Sequence, residues 1–214
     1  MKFHHRTTSI TRSFVSAALL STICSVMVTS PSFARAADDP AKALPTTAEK
    51  AAVPPQVGDI APDFELRELS GETVKFSALA AKGPVVLVML RGYPGYQCPF
   101  CTAQVGGLIN KANSLNDAKA SVLLVYPGPA ESLKEHADEF VKGKDIPANF
   151  HLALDPDFAF TNLYALRWKG EGETSYPATF VVDTKRTVLF AKVSHSHGGR
   201  PTTEEVLAAL PKTP

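Results

Sequence analysis

VVLVMLRGYPGYQCPFC, residues 85–101, runs a continuous apolar segment through a glycine-rich loop into two cysteines spaced Cys-x-x-C. Val85 to Leu90 is rich in β-branched residues and carries no polar side chain, the pattern of a central strand buried on both faces. Gly92, Pro94 and Gly95 then break the run. Pro99 suits the first turn of a helix, where its missing N–H costs nothing and its fixed φ is already helical. The spacing predicts a helix from Pro99 to about Leu115, with Gly106-Gly107 as a weak spot. Cys98 then falls near the N-cap and Cys101 one turn inside.

Outward from this segment, strand and helix signals alternate. Phe64–Leu66 and Thr73–Phe76 read as a hairpin around Ser70-Gly71, and Ser77 is placed to cap a short helix through Ala81. Ser121–Tyr126 is a second buried strand, stopped by Pro127-Gly128-Pro129, and Glu131–Lys142 a polar surface helix. Phe150–Leu154 reads as a strand and Phe158–Leu166 as a short helix. Thr179–Asp183 and Val188–Ser194 form a hairpin, and Thr203–Leu210 closes as a helix with Glu204 and Glu205 at its positive end. Alternating elements followed by a hairpin and helix predict a single-domain α/β fold, a central mixed sheet flanked by helices.

The N-terminus reads as an export signal. Lys2, Arg6 and Arg12 precede an apolar stretch from Phe14 to about Val28, followed by Ser32-Phe33-Ala34, a small-x-small cleavage pattern. That stretch is short of the ~20 residues a membrane span needs. The division expected is a signal peptide over 1–34, a flexible linker over 35–56 rich in Ala and Pro, and a domain over 57–214. The mature protein is expected to be periplasmic or secreted, with no membrane span. The formal charge of +1 turns slightly negative once the three leader cations are gone. Without basic runs, such a domain gives no case for nucleic acid.

Cys24 lies in the leader, so the mature chain keeps only Cys98 and Cys101. In an oxidising compartment the pair could be a structural bridge. Loop-entropy stabilisation grows with loop length, however, and a bridge across so few residues is a weak staple. A strand leading into Cys-x-x-C at a helix start is instead a thioredoxin-type redox signature.

Val57-Gly58-Asp59-Ile60-Ala61-Pro62-Asp63-Phe64-Glu65-Leu66 resembles the opening of the AhpC/TSA (peroxiredoxin-like, redoxin) branch of the thioredoxin superfamily. The buried strand leading to a cysteine, and Pro177-Ala178-Thr179-Phe180-Val181-Val182-Asp183, fit the same family. The resemblance covers roughly Gln56 to Ser194 and implies a thioredoxin-like fold. Members carry Pro-x-x-x-Thr/Ser-x-x-Cys, which here aligns Pro94, Cys98 and Cys101. It implies that Cys101 holds the peroxidatic position and that Cys98 replaces the hydroxyl residue. The family's arginine, three residues before the Phe of Phe-x-x-Asp, is here Pro177. Thioredoxin-type reductases place the first cysteine and a cis-proline at these two positions. A cis Tyr176-Pro177 bond is physically reasonable.

Two redox readings follow. In the leading one, an exported thiol-disulfide oxidoreductase, Cys98 is exposed and activated by the helix dipole, and attacks a partner disulfide. Cys101 resolves, while Pro177 and Tyr176 contact the substrate. In the alternative, a thiol peroxidase, Cys101 attacks peroxide and its sulfenic acid condenses with Cys98. Both readings require an external electron donor, and neither requires a resident cofactor. The missing arginine favours disulfide exchange, although Arg91 or Arg200, otherwise solvated surface cations, could supply charge. His195-Ser196-His197 opens a third class, a Cys/His copper-delivery module. The plainer reading of exposed loop histidines is preferred. Trp168 reads as wall or core.

Overall fold

The computed structural model describes residues 53–212. The leader expected over 1–34 and the tether residues 35–52 lie outside them. The described residues belong to one compact unit. No helix among them is long and apolar enough to cross a membrane.

In chain order the elements are β1 (Glu65–Arg67), β2 (Thr73–Lys75), α1 (Phe76–Ala80), β3 (Val85–Met89), α2 (Pro99–Asn110), α3 (Ala112–Asp117), β4 (Ser121–Gly128), α4 (Ala130–Val141), β5 (Phe150–Pro156), α5 (Ala159–Leu163), β6 (Ala178–Val182), β7 (Val188–Val193) and α6 (Thr203–Ala208). The main sheet has the order β5-β4-β3-β6-β7. Strand β3 pairs parallel with β4 and antiparallel with β6, so the sheet is mixed, as expected. The β1–β2 hairpin forms a separate small ribbon.

Alternation along β3 divides the core. Val86, Val88 and Leu90 face one cluster with Cys98, Cys101, Val105 and Leu108 of the α2 segment, Phe140 of α4 and Val206 of α6. Val85, Leu87 and Met89 face the other, with Phe76, Leu79, Phe160 and Tyr164 from α1, α5 and the turn after α5. Burying such side chains contributes roughly 1.5–3 kcal/mol each. The central sheet between helical layers is the thioredoxin-like arrangement.

Four local expectations are corrected. The helix after Pro99 passes through Gly106-Gly107 and breaks instead at Lys111, which leaves helical geometry at φ −111, ψ 17. A Cβ on Gly107 would lie 2.8 Å from Thr203 Oγ1, so this glycine admits close packing of α6. Ser77 does not cap α1. Its N–H donates to Asp63 Oδ1 at 2.8 Å, so the cap comes from the chain before the hairpin. Strand β4 continues through Pro127 and Gly128, paired with Asp155 and Pro156 of β5. Helix α5 shrinks to five residues because Phe158 is left-handed (φ 65) and cannot extend it.

Gly92 controls the exit from β3. Its φ is +65, and a Cβ there would sit 1.9 Å from the Pro127 carbonyl oxygen. Only glycine lets the loop cross the end of β4 at that distance and deliver Cys98 to the start of α2.

Candidate active site

Cys98 is the N-cap of α2, in extended geometry, and Pro99 occupies the first helical position. The Thr102 N–H donates to the Cys98 carbonyl at 3.1 Å, closing the first turn. Both cysteines are free thiols. The expected exposure of Cys98 is corrected, because both residues are only 1 % exposed. A helix terminus is open by default; here Arg200, on the loop between β7 and α6, lies across the sulfurs.

Arg200 Nη2 donates to Cys101 Sγ at 3.1 Å and lies 3.8 Å from Cys98 Sγ. Its Nη1 donates to Gln104 Oε1 at 2.7 Å, and Gln104 Nε2 donates to Thr179 Oγ1 of β6 at 2.9 Å. Arg200 Nε donates to the His197 carbonyl at 3.3 Å. A second donor reaches Cys101 from the backbone, the Arg91 N–H at 3.3 Å. These donors stabilise negative charge on the thiols more strongly than a neutral pair would.

Arg91, read from sequence as a candidate surface cation, is 1 % exposed. Its Nη2 meets Glu173 Oε2 at 2.5 Å and its Nη1 donates to Tyr96 Oη at 3.2 Å. The backbone at Leu90 and Arg91 is held by two hydroxyls. Ser175 donates to the Leu90 carbonyl at 2.7 Å, and Thr174 donates to the Arg91 carbonyl. Burial works to lower the Arg91 pKa, but hydrogen bonds to Tyr96 and Glu173 outweigh it and the net direction is up. Arg91 is therefore a permanent cation at the site.

The thiols are polarised against each other. A hydrogen bond from Cys101 leads in lowering the Cys98 pKa to about 5, with Arg200 and Arg91 adding to it against the cost of burial. Cys101 is pushed well above an ordinary thiol, first because its proton is engaged by Cys98 and then by burial. The two opposite directions place the pair's negative charge on Cys98 rather than on Cys101.

The remaining sequence candidates divide between the two faces of the sheet. Pro177 is buried beside β6, and strand alternation puts it on the Thr179 face, the side of the thiols. Tyr176 packs against the opposite cluster, stacking on Trp168 at 4.8 Å and meeting His195 edge-on at 4.7 Å. The two-residue period of the strand thus sets Tyr176 on the face away from the thiols. His195 and His197 do not converge on the cysteines. His197 Nε2 instead contacts Glu173 Oε1 at 2.8 Å. Among the described residues no group of three or more His, Cys, Asp or Glu is gathered for a metal ion, so the copper reading gains no support. Gln104, Glu173 and Thr179 carry no signal in the sequence that marks them as site residues. Each is an ordinary polar residue whose role comes only from folded neighbours.

The AhpC/TSA family model matches residues 57–191. Peroxiredoxin Bcp of Escherichia coli (strain K12) is 34% identical over 104 residues, 49% of this chain and 60% of that protein. This chain thus spans less than two thirds of that relative. A putative peroxiredoxin of Mycobacterium tuberculosis (strain ATCC 25618 / H37Rv) is 28% identical over 136 residues, 63% of this chain and 82% of its own length. Among solved structures, peroxidoxin BcpB from Mycobacterium tuberculosis superposes with a TM-score of 0.56 at 24% identity, covering 72% of this chain and 96% of that one. A peroxiredoxin 6 of Arenicola marina gives 0.59 at 15% identity, covering 73% and 72%. At these identities the structural matches speak for the fold.

Proposed function

The chain belongs to the AhpC/TSA family, and from that premise we propose that it is a thiol peroxidase in which Cys101 attacks the peroxide and Cys98 closes the disulfide. The observation that carries this reading is the Arg200 guanidinium, 3.1 Å from the sulfur at the family's peroxidatic position, with the Arg91 N–H at 3.3 Å on the same atom. Positive charge and a fixed N–H stabilise both a thiolate and the oxygen charge that develops as an O–O bond breaks.

The resting charge sits on Cys98, and one proton hop along the Cys98–Cys101 hydrogen bond moves it to Cys101. The Cys101 thiolate attacks the terminal oxygen of ROOH and the O–O bond breaks. RO⁻ takes the proton from the Cys98 thiol and leaves as ROH. Cys101 is now a sulfenic acid and Cys98 a thiolate one turn away. Cys98 attacks the Cys101 sulfur, hydroxide leaves and takes a proton from solvent as water, and the disulfide forms. An external dithiol or similar two-electron donor restores the pair.

Disulfide exchange remains the second reading because of one specific observation, the low pKa of Cys98, about 5. That value makes Cys98 a good leaving group and a fully formed thiolate. We place it second because the strongest donors lie on Cys101 and the named sequence relatives are peroxiredoxins.

Hydrogen peroxide consumption by the reduced protein decides between the two. Loss in Cys101→Ser with single-turnover consumption retained in Cys98→Ser is the expected result. Consumption surviving Cys101→Ser, with insulin reduction abolished by Cys98→Ser, would reverse the assignment. Export is part of the proposal and rests on the leader pattern of residues 1–34. N-terminal sequencing of the secreted or periplasmic protein checks it, and an intact Met1 there would overturn cleavage.

A further inference from the structure

Glu173 touches neither sulfur, yet both of its oxygens are committed to groups that do lead to them. Oε2 meets Arg91 Nη2 at 2.5 Å, and Oε1 meets His197 Nε2 at 2.8 Å. Through the first arm it holds a buried cation whose own backbone N–H contacts Cys101 at 3.3 Å and whose side chain, as a hydrogen-bond donor, adds to the lowering of the Cys98 pKa. Through the second it fixes His197, whose carbonyl accepts from Arg200 Nε at 3.3 Å, and Arg200 then reaches Cys101 at 3.1 Å. The carboxylate is 14 % exposed. Burial alone would raise its pKa, but bonds from His197 and Arg91 reverse the direction and keep it ionised.

We propose that Glu173 is a positioning residue that joins Arg91 to the His197–Arg200 loop and thereby sets the acidity and reactivity of the Cys98–Cys101 pair. The proposal rests on the thiol-peroxidase site described above, deepening it, but its direct readout needs no peroxide.

The electrostatics give the proposal a signature. A carboxylate acting only as a nearby anion disfavours thiolates, so neutralising it would lower their pKa. A carboxylate acting by position does the reverse. Its loss lets Arg91 and Arg200 drift from the sulfurs, so the thiolate weakens and the pKa rises. The two roles differ in sign.

The other charged groups at the junction are named by the contacts. Arg91 packs against Tyr96, Arg200 against Gln104, and His197 against the Trp168 ring at 5.5 Å. None of these supplies a second carboxylate to replace Glu173.

The experiment is a titration of the reduced full chain by ultraviolet thiolate absorbance, paired with the rate of iodoacetamide alkylation. Glu173→Gln is compared with wild type, Glu173→Asp, and the exposed control Asp138→Asn. The expected result is an upward shift of about one pH unit in the midpoint of Glu173→Gln. Alkylation near the wild-type midpoint should slow with it, and Glu173→Asp should recover part of both. Peroxide consumption should fall roughly tenfold, as misplacement of a reacting group predicts. A midpoint that stays or falls overturns the proposal, whatever the peroxide assay reads. Absence of peroxide turnover in wild type, with the midpoint shift intact, would instead count against the peroxidase reading alone. If Glu173→Gln does not fold, His197→Ala cuts one arm from a half-exposed site. An upward shift there supports the proposal, and an unchanged midpoint refutes it.

Discussion

Replacing Arg200 with alanine tests the arrangement at its shortest contact to a sulfur. Arg200 Nη2 donates to Cys101 Sγ at 3.1 Å and lies 3.8 Å from Cys98 Sγ, so one guanidinium serves both sulfurs of the monoanion. A hydrogen bond to a charged group contributes about 1.5–3 kcal/mol. At 1.36 kcal/mol for each pH unit, that stabilisation equals roughly one to two units of thiol pKa. Starting from a Cys98 value of about 5, the variant should therefore titrate between about 6 and 7. Near neutral pH most of the thiolate would survive, and the ground state would lose no more than about half its reactive form. The larger loss is in the transition state, where the same donor faces developing oxygen charge. The same energy there slows the peroxide reaction by roughly 10- to 150-fold. Stopped-flow kcat/KM for hydrogen peroxide, measured at neutral pH and again about two units higher, separates the two contributions. A deficit that disappears at high pH would mean that Arg200 acts on ionisation alone. A loss below about threefold at both pH values would refute the placement of Arg200 as the electrostatic donor of this site.

Three further outcomes follow from other parts of the molecule. The depressed Cys98 pKa means that the unfolded chain binds a proton that the folded, reduced chain has released. Stability of the reduced form should therefore rise relative to the disulfide form as pH climbs from about 5 toward 9, as paired urea melts would show. Gly92→Ala forces a Cβ to within 1.9 Å of the Pro127 oxygen at a φ of +65, and should cost about 3 kcal/mol or more, read as a lower urea midpoint. Asp155→Ala removes the buried acceptor of the Phe160 and Thr161 N–H groups, at 2.7 and 2.9 Å, and should cost about 2–4 kcal/mol without changing the thiol titration.

What sequence could reveal here depended on the distance over which each feature is determined. Strand β3 was legible because burial on both faces leaves an uninterrupted apolar run, and the Cys98–Cys101 turn because Pro99 and the spacing act within one turn of helix. Errors arose where a local signal met a distant neighbour. Gly106-Gly107 reads as a helix breaker, yet Gly107 is small because Thr203 packs on it, and α2 runs through. Cys98 at an N-cap reads as exposed, yet residues a hundred positions later cover it. Tyr176 and Pro177 are adjacent in the chain but point to opposite sides of the sheet, so only one of them shares the thiol face. Glu173 is one acid among twenty-one Asp and Glu residues, with no local pattern to distinguish it.

The missing arginine is the instructive case. Pro177 at the family's arginine position argues for disulfide exchange only if the cation must come from that strand. In the folded chain it comes from the β7–α6 loop instead. Ser194 winds this loop into place by donating to the Gly198 carbonyl at 2.5 Å, and Arg200 follows two residues later. Gln104 then ties Arg200 to Thr179, two residues beyond Pro177 on the same strand face. The charge thus arrives beside the strand that lacks it, held by a side-chain bridge rather than by its own backbone. The peroxide chemistry proposed for Cys101 calls for positive charge near its sulfur and is indifferent to the segment that carries it. Once Arg200 is located, the proline no longer counts against peroxide, and the question returns to which sulfur carries the charge when the O–O bond breaks.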